Sequence, residues 1–303
     1  MNSAQVVQKA FENELAIPAF NIPYLPMVRP VIEAVATLDS VAFIAVARLE
    51  WKKFEAVSME AIHREFHQWV QPDHVLLHLD HVPVIDEDLA LVPYFEEISE
   101  AVRLGYDSVM VDGSRLPLSE NIEAVSRITE MAHATGVPCE AELGAVMGHE
   151  EGPVPPYEEL FESGEGFTDI EQARRFVGET GCDWLSVAIG NVHGAISRAR
   201  KDEKKVTARL HLGHLEKLRE ALEIPLVLHG GSGIPTHYIQ EAIRLGMAKI
   251  NVATDIRQPY EVTLRETGSV EAAQRAVYES TIVVIRDNLQ LEGTRMILAG
   301  EPE

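Results

Sequence analysis

Short apolar runs rich in β-branched residues recur along the chain, and segments with the period of an amphipathic helix separate them. The predicted strands are Ile17–Asn21, Val41–Val46, Val75–Asp80, Ser108–Asp112, Pro138–Glu142, Trp184–Ala188, Leu226–His229 and Lys249–Val252. The predicted helices are Val28–Leu38, Met59–Val70, Phe95–Leu104, Leu118–His133, Asp169–Glu179, Leu212–Leu222 and Thr236–Leu245. Near-continuous apolar strands that alternate with helices predict βαβ units and a parallel sheet covered on both faces.

Eight strands is the number that closes a (β/α)8 barrel, the TIM-barrel fold of the α/β class. An open, doubly wound sheet is the alternative, but it normally carries a glycine fingerprint after its first strand. The segment AFNIPYLPMV at that place contains no glycine. We therefore expect a single barrel domain over residues 1–303, with a C-terminal helical extension over about residues 258–303. That extension includes a long predicted helix, Val270–Leu291.

Acidic residues dominate the charge: 48 Asp and Glu against 26 Lys and Arg give a formal net charge of −22. This balance argues against nucleic acid and membrane surfaces as partners, since phosphates would be repelled on average. The two cysteines, Cys139 and Cys182, are expected to be buried, reduced thiols. The N-terminal segment has no basic leader, and no apolar run approaches the roughly 18 residues that span a bilayer. These features predict a cytoplasmic protein.

Unusual polar residues gather at the carboxyl ends of the predicted strands, where the active site of such a barrel is built. His81 follows the third strand, His193 follows the sixth and His229 ends the seventh, with carboxylates beside them. One histidine at a strand end would be interpreted as structural. Three at one barrel mouth predict a divalent-metal site, since three imidazoles with an open fourth position form a catalytic zinc site that polarises a carbonyl.

A glycine-rich turn, Gly230–Gly233, follows the seventh strand and precedes the helix predicted to start near Thr236. Backbone N–H groups in such a turn approach a phosphate closely, and the helix N-terminus adds a favourable dipole. A tight strand-to-helix connection also needs glycine. Phosphate sites concentrate after the seventh strand of a barrel, which favours phosphate binding here.

Seven sequence motifs occur in this order along the chain: PAFNI, HLDH, SVMVDGSRLPLSENI, EAELG, AIGNVHG, PLVLHGGSG and KINVATD. Together they resemble the class II, metal-dependent ketose-bisphosphate aldolases, the family of the fructose- and tagatose-1,6-bisphosphate enzymes. The resemblance runs from about residue 15 to about residue 256. It implies a lyase that reversibly cleaves a ketose 1-phosphate or 1,6-bisphosphate to dihydroxyacetone phosphate and an aldehyde, through a zinc-stabilised enediolate.

Metal ligands are the first group of residues that the resemblance implies. It places His81 as the first zinc ligand, with His193 of NVHG and His229 of LHGGSG completing the set. Glu142 of EAELG and Asp112 of VDGS match carboxylates near the metal that serve an alternative or second metal position.

Proton-transfer and substrate-binding residues are the second group. Asp80 matches the aspartate that handles the proton of the sugar C4 hydroxyl, and Glu150 matches the mobile-loop glutamate that moves the proton on the ketone's reactive carbon. The positions that would hold the dihydroxyacetone-phosphate half and, in some members, a monovalent cation are Gly194, Gly231, Ser232, Asn251 and Thr254. The resemblance also implies a homodimer or homotetramer and a small phosphorylated sugar as partner.

The chemistry agrees with this set without the resemblance. Cleaving a carbon–carbon bond beta to a ketone leaves negative charge on an oxygen, which needs an electrophile. No lysine stands at a strand end in a Schiff-base setting, because Lys249 opens the eighth strand and is expected at the barrel bottom. A metal is then the natural electrophile, and Asp80 beside a cationic centre should stay ionised as a general base.

Several stretches depart from the family pattern, and they concern the second half of the substrate. The lysine usual after NVHG is replaced by the stretch 195–198, and the Gly- and Ser-rich stretch after the second strand is replaced by 48–53. The connection after His81 is also longer than usual. We therefore expect that fructose 1,6-bisphosphate is not the best substrate, and that Arg48, Lys53 or Arg198 contacts an altered distal group.

Two further hypotheses remain beside the leading one. An enzyme of the same fold could use another donor or a non-phosphorylated aldehyde. A catalytically silent phospho-sugar-binding protein is the third, although intact Asp80, Glu150 and three histidines argue against it.

Overall fold

Eight parallel strands close into a barrel in chain order in the computed structural model, which describes residues 1–144, 157–192 and 208–299. The strands are β1 (Ile17–Asn21), β2 (Ala42–Ala47), β3 (Val75–Pro83), β4 (Ser108–Asp112), β5 (Cys139–Leu143), β6 (Trp184–Val187), β7 (Leu226–Leu228) and β8 (Met247–Val252). β1 pairs with β8, with Ala19 opposite Asn251, and this pairing closes the barrel. The predicted (β/α)8 fold is confirmed, and the doubly wound alternative is wrong.

The strand predictions match closely because the residues of these strands are buried on both faces, which gives each strand a short apolar run. Every strand begins within two residues of its predicted start. β3 differs most at its end, since it continues past Asp80 to Pro83. Cys139 and Cys182 are buried free thiols, as expected.

Helices surround the barrel and fill the connections between strands. They are α1 (Ser3–Glu12), α2 (Val28–Thr37), α3 (Arg48–Lys53), α4 (Met59–Trp69), α5 (Tyr94–Leu104), α6 (Leu118–His133), α7 (Tyr157–Ser163), α8 (Ile170–Thr180), α9 (Leu212–Ala221), α10 (Thr236–Arg244), α11 (Thr254–Thr267), α12 (Val270–Val283) and α13 (Arg295–Ala299). A 3-10 turn covers Leu25–Met27, and a π-helical turn covers Val284–Asn288. Within the described ranges, no helix is long and apolar enough to cross a membrane.

Several helical features differ from the sequence prediction. The short helices α3 and α7 were not predicted, because six or seven residues are too few to display a helical period. Helix α11 begins at Thr254, before the predicted helical extension. The single helix predicted over Val270–Leu291 is α12, which ends at Val283 and passes into the π-helical turn.

The lower half of the barrel interior is apolar. Ile17, Phe43 and Val227 pack there, and Val6 and Ala10 of α1 belong to the same buried cluster. The upper half is polar although it is also buried, with His78 and Glu140 fully inaccessible to solvent. The barrel therefore offers an apolar base beneath a buried polar layer.

A bulge at the end of β3 determines how two adjacent polar residues reach that layer. The register between β3 and β4 shifts between Leu79 and Val82, and His81 has a φ of 30°, in the left-handed region. Successive side chains of a regular strand point to opposite faces, so Asp80 and His81 could not share one. The bulge re-aims the strand, and both side chains reach the barrel mouth.

Candidate active site

The carboxyl ends of the strands line one cavity at the mouth of the barrel. Its wall includes Asn21, Asp80, His81, Asp112, Ser232 and Asn251, which come from β1, β3, β4, β8 and the turn after β7. Residues far apart in the sequence therefore meet at the place where the sequence analysis expects the active site.

Two of the predicted metal ligands lie together at this cavity, where His81 is in the wall and His229 is buried next to the lining residue Gly230. The ring centroids of His81 and His229 are 4.3 Å apart. Asp80 joins them, because one potential ligand atom from each of the three residues lies within 4.8 Å of the others. The structure thus brings together the part of the predicted metal set that falls within the described residues.

Carboxylates contact both imidazoles. Asp112 Oδ2 is 3.3 Å from His81 Nδ1, and Glu140 Oε1 is 2.9 Å from His229 Nε2. In a metal site, a contact of this kind fixes the tautomer, and the opposite ring nitrogen binds the metal. In His229 the opposite nitrogen is Nδ1, and a second carboxylate oxygen, Glu142 Oε2, lies 2.7 Å from it.

The charge around the two rings favours a cation. Burial alone would lower the pKa of His81, but the charge of Asp80 and the hydrogen bond to Asp112 raise that pKa to about 10. The pKa of His229 is also raised, because its bonds to Glu140 and Glu142 outweigh burial and the repulsion of His81. A dication bound by the two imidazoles would take the place of these protons, and imidazole nitrogens beside carboxylates fit zinc.

Asp80 is held as a carboxylate by two side-chain amides. Asn251 Nδ2 donates to both carboxylate oxygens at 3.0 Å, and Asn21 Nδ2 donates to Oδ2 at 2.8 Å. Burial alone would raise the pKa of Asp80, but the charge of His81 and the His78 ring, whose Nε2 lies 3.6 Å from Oδ1, hold this pKa well below its usual range. Asp80 is therefore an ionised base near neutral pH.

Lys249 does not lie at the barrel bottom, and this expectation was wrong. Its ammonium is fully buried in the polar layer, with Nζ 2.9 Å from Glu140 Oε2, 2.7 Å from Asn251 Oδ1 and 4.0 Å from Asp80 Oδ1. β8 begins two residues earlier than predicted, so Lys249 stands inside the strand and alternation turns it into the barrel. Its contacts with Glu140 and Asn251 hold it inside the polar layer.

The position of Lys249 also decides between two possible metal clusters. His78, Asp80 and Glu140 form a second group whose ligand atoms lie within 4.8 Å of one another. The Lys249 ammonium already serves as the cation of that group. Burial alone would raise the pKa of Glu140, but the charge of Lys249 and the bond to His229 lower it to about 2. A metal is therefore expected at His81 and His229.

The turn after β7 meets the start of α11 at one side of the cavity. Gly231 fits only as glycine, because a Cβ there would lie 2.6 Å from Ile250 Cγ2, and its N–H donates to Asn251 O. Ser232 and Thr254 line the cavity, whereas Gly231 packs behind it. The helix N-terminus that faces the cavity is that of α11 rather than the predicted one near Thr236. Such an end favours a phosphate.

We call α3 together with the loop of residues 84–93 the distal wall. The loop follows β3, which lies across the barrel from β7, so this wall stands opposite the turn after β7. Arg48, Glu50 and Glu87 of this wall line the cavity. Arg48 forms ion pairs with Glu97 and Asp86 at 3.0 and 3.4 Å. The cation proposed from the sequence as a distal contact therefore already has two carboxylate partners.

Several predicted residues lie outside the described residues, and the sequence analysis missed others. Glu150, His193, Gly194 and Arg198 fall in the ranges 145–156 and 193–207, which the structure does not describe. Asn21 has no role predicted from the sequence, although this residue ends β1 within the segment PAFNI. Three further polar residues of the site are not predicted either, because their positions depend on local backbone geometry: Glu50, Lys249 and Arg257.

Comparison with known proteins agrees with this geometry. The profile of the family described as class-II fructose-bisphosphate aldolase matches residues 1–291. The chain belongs to this family. The match extends beyond residues 15–256, where the motifs are recognisable in the sequence, and includes the helices after β8.

Individual relatives give the same result for this aldolase. A fructose-bisphosphate aldolase from Streptococcus pyogenes serotype M1 is 33% identical over 282 residues, which cover 92% of this chain and 87% of the relative. One from Streptococcus pneumoniae serotype 4 is 36% identical over 230 residues, covering 76% and 69%. The crystal structure of the YdjI aldolase from Escherichia coli K12 aligns with a TM-score of 0.75 at 27% identity, covering 96% and 98%. This protein is an aldolase, a lyase acting on carbon–carbon bonds.

Proposed function

We propose that this aldolase depends on zinc and reversibly cleaves a ketose 1-phosphate or 1,6-bisphosphate to dihydroxyacetone phosphate and an aldehyde. The family implies a phosphorylated sugar as substrate. The observation that carries the proposal is the Asp80 carboxylate, which accepts amide hydrogen bonds at both oxygens beside His81 and His229. It is a base placed next to a cation site, as cleavage beta to a carbonyl requires.

His81 and His229 would hold the zinc ion, together with His193 from outside the described residues. Zinc, when bound, supplies an electrophile that stabilises negative charge on a substrate oxygen. Glu142 and Asp112 are the carboxylates proposed for an alternative metal position. Both lie against an imidazole, so they also orient the rings.

Two carboxylates would divide the proton transfers. Asp80 would accept the proton of the C4 hydroxyl during cleavage and return it during condensation, since its low pKa keeps it ionised until the substrate binds. Glu150, outside the described residues, would move the proton on the reactive carbon of dihydroxyacetone phosphate. The two steps can then be separated by mutation.

The phosphate of the dihydroxyacetone-phosphate half would bind between the turn after β7 and the start of α11. The proposed contacts are Gly194, Ser232, Asn251 and Thr254, and a monovalent cation is proposed beside them. Gly231, which packs behind the cavity, would hold the turn that carries Ser232. Ser232 and Thr254 line the cavity near the helix N-terminus, which supports this placement.

Metal removal tests the proposal most directly. The purified protein would be assayed for dihydroxyacetone phosphate release and for exchange of its carbon-bound hydrogen with solvent, before and after chelation. We expect both reactions to disappear on chelation and to return with added zinc or cobalt. Full activity in protein shown to hold no metal would contradict the proposal. Metal-dependent cleavage that releases no dihydroxyacetone phosphate would indicate a different donor substrate.

A further inference from the structure

The cations of the distal wall are already bound by carboxylates. Arg48 Nε is 3.0 and 3.2 Å from the two Glu97 oxygens, and Arg48 Nη1 is 3.4 Å from Asp86. Lys53 Nζ lies 2.8 Å from Glu87 and 3.2 Å from Asp88. Arg48 and Lys53 therefore each contact two carboxylates, one more than is needed to neutralise a single positive charge.

Arg257 of α11 borders this wall and is neutralised in the same way. Its Nη1 contacts both oxygens of Glu261 at 2.9 and 3.0 Å, and its guanidinium lies 5.6 Å from the ring of Phe54. Arg115 lines the cavity near the end of β4. Even with Arg115 included, the carboxyl groups of this region outnumber its cations among the residues that the structure describes.

Glu50 adds a carboxyl group that no such pairing explains. It lines the cavity, is only 6% exposed and, in the described part of the chain, forms no ion pair. Its Oε2 accepts the N–H of Ala47 at 2.7 Å, which caps the start of α3. A helix cap can be provided by any acceptor at the surface. Burying a carboxyl group without a counter-ion, in contrast, costs free energy. A ligand that hydrogen-bonds to the carboxyl would offset that cost.

The chemistry of this wall selects against a phosphate and favours hydroxyl groups. A phosphate would be desolvated among surplus carboxylates, and its gain from Arg48 would require breaking two existing ion pairs. A hydroxyl both donates to a carboxylate and accepts from a carboxylic acid. Burial raises the pKa of Glu50 to about 8 and the charge of Asp80 adds to this rise, whereas the Ala47 N–H, the Asn21 side chain and the charge of His81 lower the pKa.

We infer that this aldolase cleaves ketose 1-phosphates whose other end is an uncharged polyhydroxyl chain, and that Glu50 binds a hydroxyl of the aldehyde half. The inference rests on the proposed function and narrows it. Bisphosphates would then be poor substrates, and the charge of the distal wall would be the cause.

Aldehydes of matched length test the substrate class. Condensation with dihydroxyacetone phosphate would be measured for D-glyceraldehyde against D-glyceraldehyde 3-phosphate, and for D-erythrose against D-erythrose 4-phosphate. We expect kcat/KM to be higher for the uncharged member of each pair by about tenfold or more, the value of one well-placed hydrogen bond. A higher kcat/KM for the phosphorylated members would overturn the inference.

Two variants test the assigned residue, with an exposed glutamate as control. Glu50→Ala should raise KM for the uncharged aldehydes and lower their kcat/KM by about tenfold, with a smaller effect on the phosphorylated ones. Glu50→Gln keeps an acceptor for the Ala47 N–H and a polar group for the hydroxyl, so it should recover much of the loss. Glu55→Ala, on an exposed neighbour, should match the parent. Equal losses for both aldehyde classes in both Glu50 variants would show a structural role and overturn the assignment.

A third variant tests the charge argument by gain of function. Glu97→Gln removes the closer carboxylate partner of Arg48. The kcat/KM for the phosphorylated aldehydes should therefore rise severalfold relative to that for the uncharged ones. The control, Glu96→Gln on the exposed face of the same helix, should not change that ratio. An unchanged ratio in Glu97→Gln would contradict the charge argument.

Absence of hydrogen exchange on dihydroxyacetone phosphate in the parent protein would instead refute the proposed function itself. Exchange with a preference for phosphorylated aldehydes would refute only this inference.

Discussion

The two ends of the cavity use the same side-chain types in opposite ways. We call the end of the cavity around Asp80, His81 and His229, where a metal is proposed, the metal end. There, carboxylates contact imidazoles, amides and the Lys249 ammonium in a layer that is almost fully buried. At the distal wall, carboxylates neutralise cations such as Lys53, whose side chain is 37% exposed. Charge pairs of similar length should therefore contribute differently, because burial removes the screening that water provides at the surface.

The origin of each end in the fold accounts for this difference. Metal-end residues stand on strand ends and the bulge of β3, which the barrel holds rigidly. The distal wall is a short helix and a loop, the elements that vary most easily on a barrel. The metal end can thus keep its chemistry while changes in the distal wall alter which substrate binds. Substitutions at the two ends test this comparison.

The largest expected effect is the loss of cleavage in Asp80→Ala. This change removes the proposed base for the C4 hydroxyl, so cleavage should fall by about 10²–10⁴-fold. Hydrogen exchange on dihydroxyacetone phosphate should persist, because Glu150 is the residue proposed for that step. Both rates and the zinc content would be measured on the same preparation.

His229→Ala and Glu150→Gln provide the reference variants for that experiment. His229→Ala should lose both reactions together with its metal, and Glu150→Gln should lose exchange. If Asp80→Ala lost exchange as completely as Glu150→Gln while keeping its zinc, the proposed division of proton transfers would be wrong.

Lys249→Met should destabilise the fold. It leaves Glu140 as a buried carboxylate without its ammonium partner, and breaking a buried pair at one side costs about 3–5 kcal/mol. Denaturant unfolding would measure the change in the free energy of unfolding. The double variant Lys249→Met, Glu140→Gln removes both charges and should recover part of the loss. A single variant as stable as the parent would contradict the buried-pair interpretation.

The sequence predicts the barrel well because its signal is local. Each strand is a short buried run, and each carboxyl end carries an unusual polar residue such as His81 or His229. Order around the barrel then follows from chain order, so residues at strand ends must meet. Asp80, Asp112 and His229 meet in this way, as their places at strand ends predict without any knowledge of side-chain contacts.

The sequence predicts less where position depends on geometry that no pattern records. The height of Lys249 inside the barrel depends on a strand start two residues from the predicted one. The meeting of Asp80 and His81 depends on a bulge and a positive φ. The ion pairs of Arg48 form between α3 and residues that follow β3, so nothing local to the sequence predicts them.

Asp112→Asn should have an intermediate effect at the metal end. Asparagine can keep the bonds from Ser114 to Oδ1 but places an amide donor toward His81 Nδ1 in place of Oδ2. Loss of such an orienting carboxylate lowers metal affinity by about 10–100-fold. Competition with a chromophoric chelator would measure the zinc dissociation constant.

The matched control for that change is Ser114→Ala. It removes the hydroxyl that bonds to Asp112 Oδ1 but leaves the carboxylate facing His81, so zinc affinity should change much less. Equal losses in the two variants would indicate that the turn itself, rather than the contact with His81, maintains the metal site.

Lys53→Met is the distal counterpart of Lys249→Met and should have the smallest effect. Both lysines pair with carboxylates at 2.8–2.9 Å, but Lys53 is partly exposed and Lys249 is buried. An exposed pair contributes about 0–1 kcal/mol, so the free energy of unfolding should change within that range. Since Lys53 is already paired, kcat/KM for phosphorylated aldehydes should also stay within about threefold of the parent. A large selective loss for phosphorylated aldehydes would make Lys53 a phosphate ligand, and it would show that the carboxylates of the distal wall do not exclude charge.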